Sequence, residues 1–223
     1  MIERILPAGV VAVTSKVDIE GVDLFPAEAA AVANAVEKRR REFTTVRACA
    51  RVAYERLGRP AAPIVPGERG EPSWSDGVVG SITHCDGYRA CALANASDFV
   101  SIGIDAEPNA ALPDGVLAEI ARPEERPALR ELARQAPEIH WDRLLFSAKE
   151  SVYKAWFPLA KRWLGFEDAI VAIDRDACTF DVRLLVPGPL VEGQPLRALS
   201  GRWLAGDGLV ASAIALTPTT ALP

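Results

Sequence analysis

The sequence predicts an α+β fold of two similar halves about a pseudo-twofold axis, each a small antiparallel sheet packed with a long helix. Three observations carry this. Two segments, 26–57 and 141–157, are rich in helix-forming residues and free of internal proline. Several short runs alternate like strands and are joined by Asp-Gly turn signals. Finally, Asp86-Gly87-Tyr88-Arg89-Ala90-Cys91-Ala92-Leu93-Ala94 matches Asp207-Gly208-Leu209-Val210-Ala211-Ser212-Ala213-Ile214-Ala215 in its Asp-Gly opening and spaced alanines. Ahead of each comes a helix with similar spacing, Phe43, Thr44, Val46-Arg47 and Arg51 against Phe146, Ser147, Lys149-Glu150 and Lys154. Chance recurrence of alanine-rich strands competes with duplication, which matters because a pseudo-twofold seam is a natural place for a cleft.

In chain order, 26–57 reads as one long or two consecutive helices, stopped at Gly58 with Pro60 just beyond. Prolines and glycines crowd 60–77, which breaks both periodicities and marks an exposed loop. Strands follow at 78–83, 89–94 and 99–107, together a small antiparallel sheet. The stretch 109–137 is irregular or briefly helical, 141–157 is strongly helical, and 169–216 returns to strand-like runs interrupted by Pro187, Gly188, Pro189 and Gly193. The last few residues read as a loose tail. The halves divide as 1–108 and 109–223, with the site in the cleft between them.

Composition narrows the function. A chain of 223 residues, 49% hydrophobic and 25% charged, can bury a sizeable core and is not disordered. With 25 basic against 30 acidic residues and a net charge of −5, it is not built to coat nucleic acid or an anionic membrane. The four cysteines form no zinc pattern and no small disulfide framework, so a reducing cytoplasm is the expected setting. No apolar run is long enough to cross a bilayer, and residues 1–13 lack the basic leader of an export signal. Two histidines exclude a multi-histidine metal centre and leave hard, oxygen-ligated ions.

Strand alternation over 101–107 sends Ile102, Ile104 and Ala106 to one face and Asp105 and Glu107 to the other. Two neighbouring carboxylates repel unless a proton or a cation such as Mg²⁺ intervenes, although the same pair also occurs as plain solvent exposure. Gly103 beside them permits close approach of another backbone. On the helix over 141–157, Trp141, Leu145, Ala148, Val152 and Trp156 form one inward stripe. Ser147, Glu150 and Lys154 gather opposite, where Glu150 and Lys154 are either a solvated i,i+4 pair or a proton acceptor beside a phosphate-neutralising cation. Lys149 falls inside the apolar arc, where snorkelling is the plainer role. Arg39 interrupts the apolar stripe of the first helix and Arg47 borders it, so two guanidinium groups could share one phosphate. His84 ends a strand at a sheet rim. P-loop, dinucleotide-binding and hydrolase-elbow motifs are absent, which leaves side chains to hold any phosphate.

Three blocks in order then resemble the 4′-phosphopantetheinyl transferases of the surfactin and enterobactin synthetase type, most closely their actinobacterial members. They are Val79-Gly80-Ser81-Ile82-Thr83-His84-Cys85, then Ile102-Gly103-Ile104-Asp105-Ala106-Glu107, then Phe146-Ser147-Ala148-Lys149-Glu150-Ser151-Val152-Tyr153-Lys154-Ala155-Trp156. The likeness extends back to about Val36 and forward to Asp168. It implies a cytoplasmic, monomeric, Mg²⁺-dependent enzyme, with Mn²⁺ as a substitute. Such an enzyme moves phosphopantetheine from coenzyme A to a serine of a carrier protein and releases adenosine 3′,5′-bisphosphate. Partners would be acyl carrier proteins and peptidyl carrier domains of fatty acid, polyketide, siderophore or other nonribosomal peptide synthases, with no nucleic acid and no membrane.

By the same resemblance Asp105 and Glu107 ligate the metal, with the Ala106 carbonyl nearby and Glu150 as third carboxylate. Glu150 is also the base for the carrier serine, directly or through a water. Lys154 meets the pyrophosphate and Lys149 adds charge near it. Arg39, Arg47 and His84 meet the 3′-phosphate region, Ser81 with Gly70-Glu71-Pro72 the nucleotide portion, and Thr83 is a further coenzyme A-binding residue. Relatives carry lysines where this chain has Glu71 and Pro66, and Arg69 is the cation available to compensate. Segment 122–130 and Lys161-Arg162 are candidate carrier-docking surface. Two alternatives compete: a Mg²⁺-dependent nucleotide phosphohydrolase, which also needs clustered carboxylates, and a catalytically silent module that holds coenzyme A or a carrier, against which the intact Asp105, Glu107, Glu150 and Lys154 argue.

Overall fold

The computed structural model describes residues 1–218; the tail expected at the C-terminus falls largely on 219–223, outside them. The elements are β1 (Val11–Ser15), α1 (Pro26–Ala31), α2 (Glu37–Arg56), β2 (Val78–Cys85), β3 (Tyr88–Asn95), β4 (Ser101–Pro108), α3 (Val116–Ile120), α4 (Arg126–Gln135), α5 (Trp141–Ala160), β5 (Ala169–Asp174), β6 (Thr179–Leu184), β7 (Leu190–Val191), β8 (Gln194–Pro195), β9 (Ala198–Gly206) and β10 (Leu209–Leu216). The α+β class and the antiparallel sheets are as expected. Segment 26–57 is two helices, and β1 is a strand that sequence patterning missed, because its five residues carry too little alternation to stand out.

Strands assemble into a three-stranded sheet, β1-β3-β2, and a five-stranded sheet, β4-β10-β9-β6-β5. This corrects the grouping of the first three predicted strands: β4 does not join β2 and β3 but pairs antiparallel with β10, Asp105 opposite Ser212. The reason lies in the repeat itself. In each sheet the strand ahead of the long helix pairs with the strand after the Asp-Gly turn, β1 with β3 and β4 with β10. Asp86-Gly87 joins β2 to β3 and Asp207-Gly208 joins β9 to β10. Both Asp207 and Gly208 have positive φ, 53° and 74°, the backbone that two-residue hairpin turns favour.

Small residues let the two sheets share one core. Ala90, Ala92 and Ala94 of β3 meet Ala211 and Ala213 of β10 together with Ile102, Ile104 and Ala106 of β4. The opposite face of β3 packs Cys91 and Leu93 under α2, and the opposite face of β10 packs Val210 and Ile214 under α5. The expected α5 stripe is buried throughout, and the helix continues to Ala160 before Lys161 turns left-handed at φ 48°. Where β2 and β4 run side by side, Ser81 Oγ accepts the Ile104 N–H and Thr83 Oγ1 the Ala106 N–H. Hydroxyls on β2 thus satisfy amides on β4 that no strand covers.

Gly103 sets the distance between β4 and α5. A Cβ there would lie 1.9 Å from the Ser151 carbonyl oxygen and 2.8 Å from the Ala155 nitrogen, both backbone atoms that cannot swing aside. Gly103→Ala is therefore expected to cost about 3 kcal/mol, read as a fall in Tm. An unchanged Tm would show that the helix can lift without penalty.

Candidate active site

Between α2, the 66–74 loop, β2 and α5 lies a cavity of about 250 Å³. Helix α2 contributes Arg39 and Arg47 to its wall, and the loop contributes Arg69, Gly70, Glu71 and Pro72. Ser81 and His84 enter from β2, Glu150 and Lys154 from α5. Residues far apart in sequence thus converge on one concave surface. Thr83 and Lys149 do not line it.

Thr83 is buried behind the wall, where its hydroxyl donates to Asp105 Oδ1 at 3.2 Å besides receiving the Ala106 amide. Lys149 requires a correction. Its ammonium turns away from the cavity into a buried knot, donating to the carbonyls of Ile120, Phe166 and Ala169 and to Glu125 Oε2 at 2.9 Å. The apolar arc in which it lies is packed against residues 120–125 and 166–169, so the side chain finds internal acceptors instead of reaching solvent.

Arg47 is also tied down. Nε and Nη2 both donate to the Ile64 carbonyl, and the guanidinium lies 3.5 Å over the Phe43 ring. Burial, the larger influence, lowers its pKa to about 10, which still leaves it cationic at neutral pH. Within the basic run, Arg39 faces the cavity, whereas Arg41 pairs outward with Asp18 and Glu37. Arg39 Nη1 reaches His84 Nε2 at 2.9 Å. The loop carries its own explanation for Glu71: that carboxylate accepts the Arg69 N–H at 3.0 Å and so closes the turn next to the Pro66–Pro72 bridge.

The acidic residues stand beside Lys154. Its ammonium donates to Asp105 Oδ1 at 2.7 Å and to the Ile104 carbonyl at 3.2 Å. Asp105 Oδ2 is buried with no hydrogen-bond partner among the described residues. Glu107 Oε2 pairs with Arg143 Nη1 at 3.1 Å, and Arg143 spends its other donors on the carbonyls of Ala110 and Ala111. Burial raises the Glu107 carboxyl above its usual range, Asp105 raises it further, and Arg143 and Lys154 oppose the rise. For Glu150, too, burial pushes the carboxyl up, Lys154 pulls it down and Asp105 adds to the rise. The Ala106 methyl is sealed in the core, so only its main chain could serve a ligand.

Tested against a divalent ion, this set fits in chemistry. Its hard carboxylate oxygens include one buried oxygen without a partner, and Asp105 repels both other acids, which a cation would relieve. Among the described residues no three acidic, histidine or cysteine side chains are drawn into a coordinating group, since Lys154 and Arg143 hold Asp105 and Glu107.

Residues 27–94 match the family model described as the 4′-phosphopantetheinyl transferase N-terminal domain, and residues 101–199 match the 4′-phosphopantetheinyl transferase superfamily. The chain is 58% identical over 219 residues to the 4′-phosphopantetheinyl transferase Svp of Streptomyces mobaraensis, covering 97% of this chain and 89% of that one. This chain belongs to the 4′-phosphopantetheinyl transferase superfamily. The transferase PptT of Mycobacterium tuberculosis is 50% identical over 89% of this chain and 88% of its own length. The transferase Npt of Nocardia iowensis is 50% identical over 96% and 99% respectively. The two matched models part between β3 and β4, where the sheet pairing also changes hands.

Several residues of this transferase's site were not read from the sequence. Arg143 lies two helical turns before Glu150 on the same helix, a spacing that could have flagged it. Glu42 follows Arg39 by three residues and shares the cavity wall. Tyr153 lies between Glu150 and Lys154, lines the same cavity, and its hydroxyl is buried with no hydrogen-bond partner among the described residues. Phe43, Trp74 and Phe157 supply apolar wall that only the folded chain brings together.

Proposed function

We propose that this transferase, of the surfactin and enterobactin synthetase type, binds coenzyme A in the 250 Å³ cavity and passes its phosphopantetheine to a carrier-protein serine. The observation that carries the reading is one wall holding Arg39, His84, Lys154 and Glu150 together, three phosphate-binding groups beside an acid. The cavity lies in the cleft where the two halves meet. Asp105, Glu107 and Glu150, with the Ala106 carbonyl near them, would hold a Mg²⁺ ion, or Mn²⁺ in its place; when bound, it offsets charge on the phosphoryl oxygens.

Arg39, Arg47 and His84 face the 3′-phosphate, while Ser81 and the loop from Arg69 to Pro72 receive the nucleotide. Arg69, whose guanidinium makes no hydrogen bond or ion pair among the described residues, supplies the loop's cation in place of the lysines of relatives. Lys154 donates to the pyrophosphate and neutralises the charge that builds on the leaving group. Glu150 takes the proton of the carrier serine as its oxygen attacks phosphorus; the bond to the bridging oxygen breaks, and adenosine 3′,5′-bisphosphate departs. A carboxyl held above its ordinary value is a better proton acceptor at neutral pH than an exposed glutamate.

Partners are acyl carrier proteins and peptidyl carrier domains of fatty acid, polyketide or nonribosomal peptide synthases, met by a cytoplasmic monomer. Among the described residues no helix is long and apolar enough to cross a membrane. Carrier docking falls to Arg130, Lys161 and Arg162 sooner than to Arg122 or Arg126, whose guanidinium groups are bonded to main-chain carbonyls.

Incubation with Mg²⁺, coenzyme A and a panel of apo carriers is expected to add one phosphopantetheine to the accepted carrier by intact-protein mass spectrometry. Asp105→Ala should abolish the gain. No gain on any carrier, or phosphate release without a carrier, would overturn the reading.

A further inference from the structure

The cation-lined wall of the cavity contains an acid that the reaction does not use. Glu42, three residues beyond Arg39 on α2, is 11% exposed, and its Oε2 lies 3.6 Å from His84 Nε2. Its other oxygen is 3.7 Å from Arg89 Nη2, which lies 3.0 Å from Asp18 Oδ1. Arg89 is itself buried and anchored through Nη1 to the Cys85 carbonyl. A chain of charges thus runs from the loop after β1, through β3, to the wall of the cavity, and holds Glu42 beside the imidazole.

The state of that imidazole follows from its contacts. Arginine only donates, so the 2.9 Å contact from Arg39 Nη1 makes His84 Nε2 an acceptor, and the ring is neutral with its proton on Nδ1. The charged groups facing it are Arg39 and Glu42 from α2, Lys154 from α5 and Arg89 from β3. Burial, then Arg39, hold the ring below its ordinary value of 6.5, with Lys154 and Arg89 acting the same way; Glu42 alone opposes them. A phosphate monoester entering beside Arg39 would add negative charge and compete for Nη1. That frees Nε2 to accept a proton from solvent and to donate it as a hydrogen bond to a phosphate oxygen. The ring then carries charge among three cations, and the carboxylate fixed 3.6 Å from that same nitrogen decides whether this is tolerable.

We propose that Glu42 is the counter-ion that lets His84 take up a solvent proton when a phosphate monoester binds, with Arg89 and Asp18 positioning it. Glu42 is a positioning residue that touches no reacting atom. The inference rests on the reading that the 3′-phosphate of coenzyme A sits against Arg39 and His84. It separates this phosphate from the pyrophosphate, which meets Lys154 and involves no proton uptake at the ring.

Nuclear magnetic resonance of the full chain tests it, because only His84 and His140 contribute imidazole signals and His140→Gln assigns them. The His84 titration should move up when coenzyme A is added and stay near the free value with 3′-dephospho-coenzyme A. In Glu42→Gln saturated with coenzyme A, His84 should bind its proton about tenfold more weakly than in the wild type, one pKa unit. Glu42→Asp, with a shorter reach, should fall between. An unchanged bound titration in either variant overturns the proposal. Should one variant fail to fold, the other decides. If wild-type His84 responds equally to both ligands, the 3′-phosphate reading fails first, an outcome distinct from failure of Glu42.

Discussion

Glu150→Gln is expected to eliminate carrier modification while leaving a protein as stable as the wild type or more so. A general base contributes about 10²–10⁴-fold, and glutamine cannot accept the serine proton, so turnover should fall by at least that range. Stability should move the other way. Burial and Asp105 raise the Glu150 carboxyl above its unfolded value of 4.5. The folded state therefore binds this proton more tightly than the unfolded chain does, and stability is lost as pH climbs from that unfolded value through the raised one. At neutral pH the ionised side chain weighs against folding, and the neutral amide removes the penalty. Thermal melts across the acid to neutral range should show the two proteins converging at low pH and the variant gaining, by up to a few degrees, as pH rises. Retained activity would remove Glu150 from the role of base. A variant that melts lower at neutral pH would show that its carboxylate supports the fold instead of straining it.

The second large effect lies behind the same helix. Glu125 is 1% exposed at its side chain; Oε2 accepts from Lys149 Nζ at 2.9 Å and from the Arg122 N–H at 2.7 Å, and Oε1 from the Val171 N–H at 2.7 Å. Burial presses the Lys149 ammonium toward neutrality and Glu125 resists it. Glu125→Ala leaves that ammonium buried without a counter-charge and strands two amides, at a cost of about 3–5 kcal/mol. In a domain of this size that corresponds to a fall in Tm on the order of 10 °C. Replacing both partners, Glu125→Leu with Lys149→Met, should recover much of the loss, because two apolar side chains leave no charge unpaired. Coenzyme A affinity of the folded double variant should match the wild type, since Lys149 stays out of the cavity. A small effect of Glu125→Ala, or weakened coenzyme A binding in the double variant, would return Lys149 to the phosphate site.

The lysine shows where residue patterns stop being informative. Its place in an apolar arc was legible at about 100° per residue, but its acceptors come from residues 120–125 and 166–169, and no local pattern ties these together. Arg143 is similar: its helix was clear, while its hold on Glu107 depends on β4 running beneath α5. Cavity residues Arg39, His84, Glu150 and Lys154 were singled out from the chain itself: Arg39 as a charge inside an apolar stripe, His84 at the rim of a sheet, and Glu150 with Lys154 as an i,i+4 pair opposite the buried stripe of α5. The resemblance to known transferases supplied their roles.

What the chain alone determined is local. Period-two alternation put Asp105 and Glu107 on the face opposite Ile102, Ile104 and Ala106, two Asp-Gly pairs marked the hairpins, and the stripe on α5 chose its buried side. Folding decided the partners: β10 rather than β3 for β4, Glu125 for Lys149, Lys154 for Asp105, and Arg89 with Asp18 behind Glu42. The physical reason is range. Backbone preference and amphipathic period act over a few residues, whereas strand register and charge pairing depend on which surfaces finally exclude water together, and that choice belongs to the whole chain.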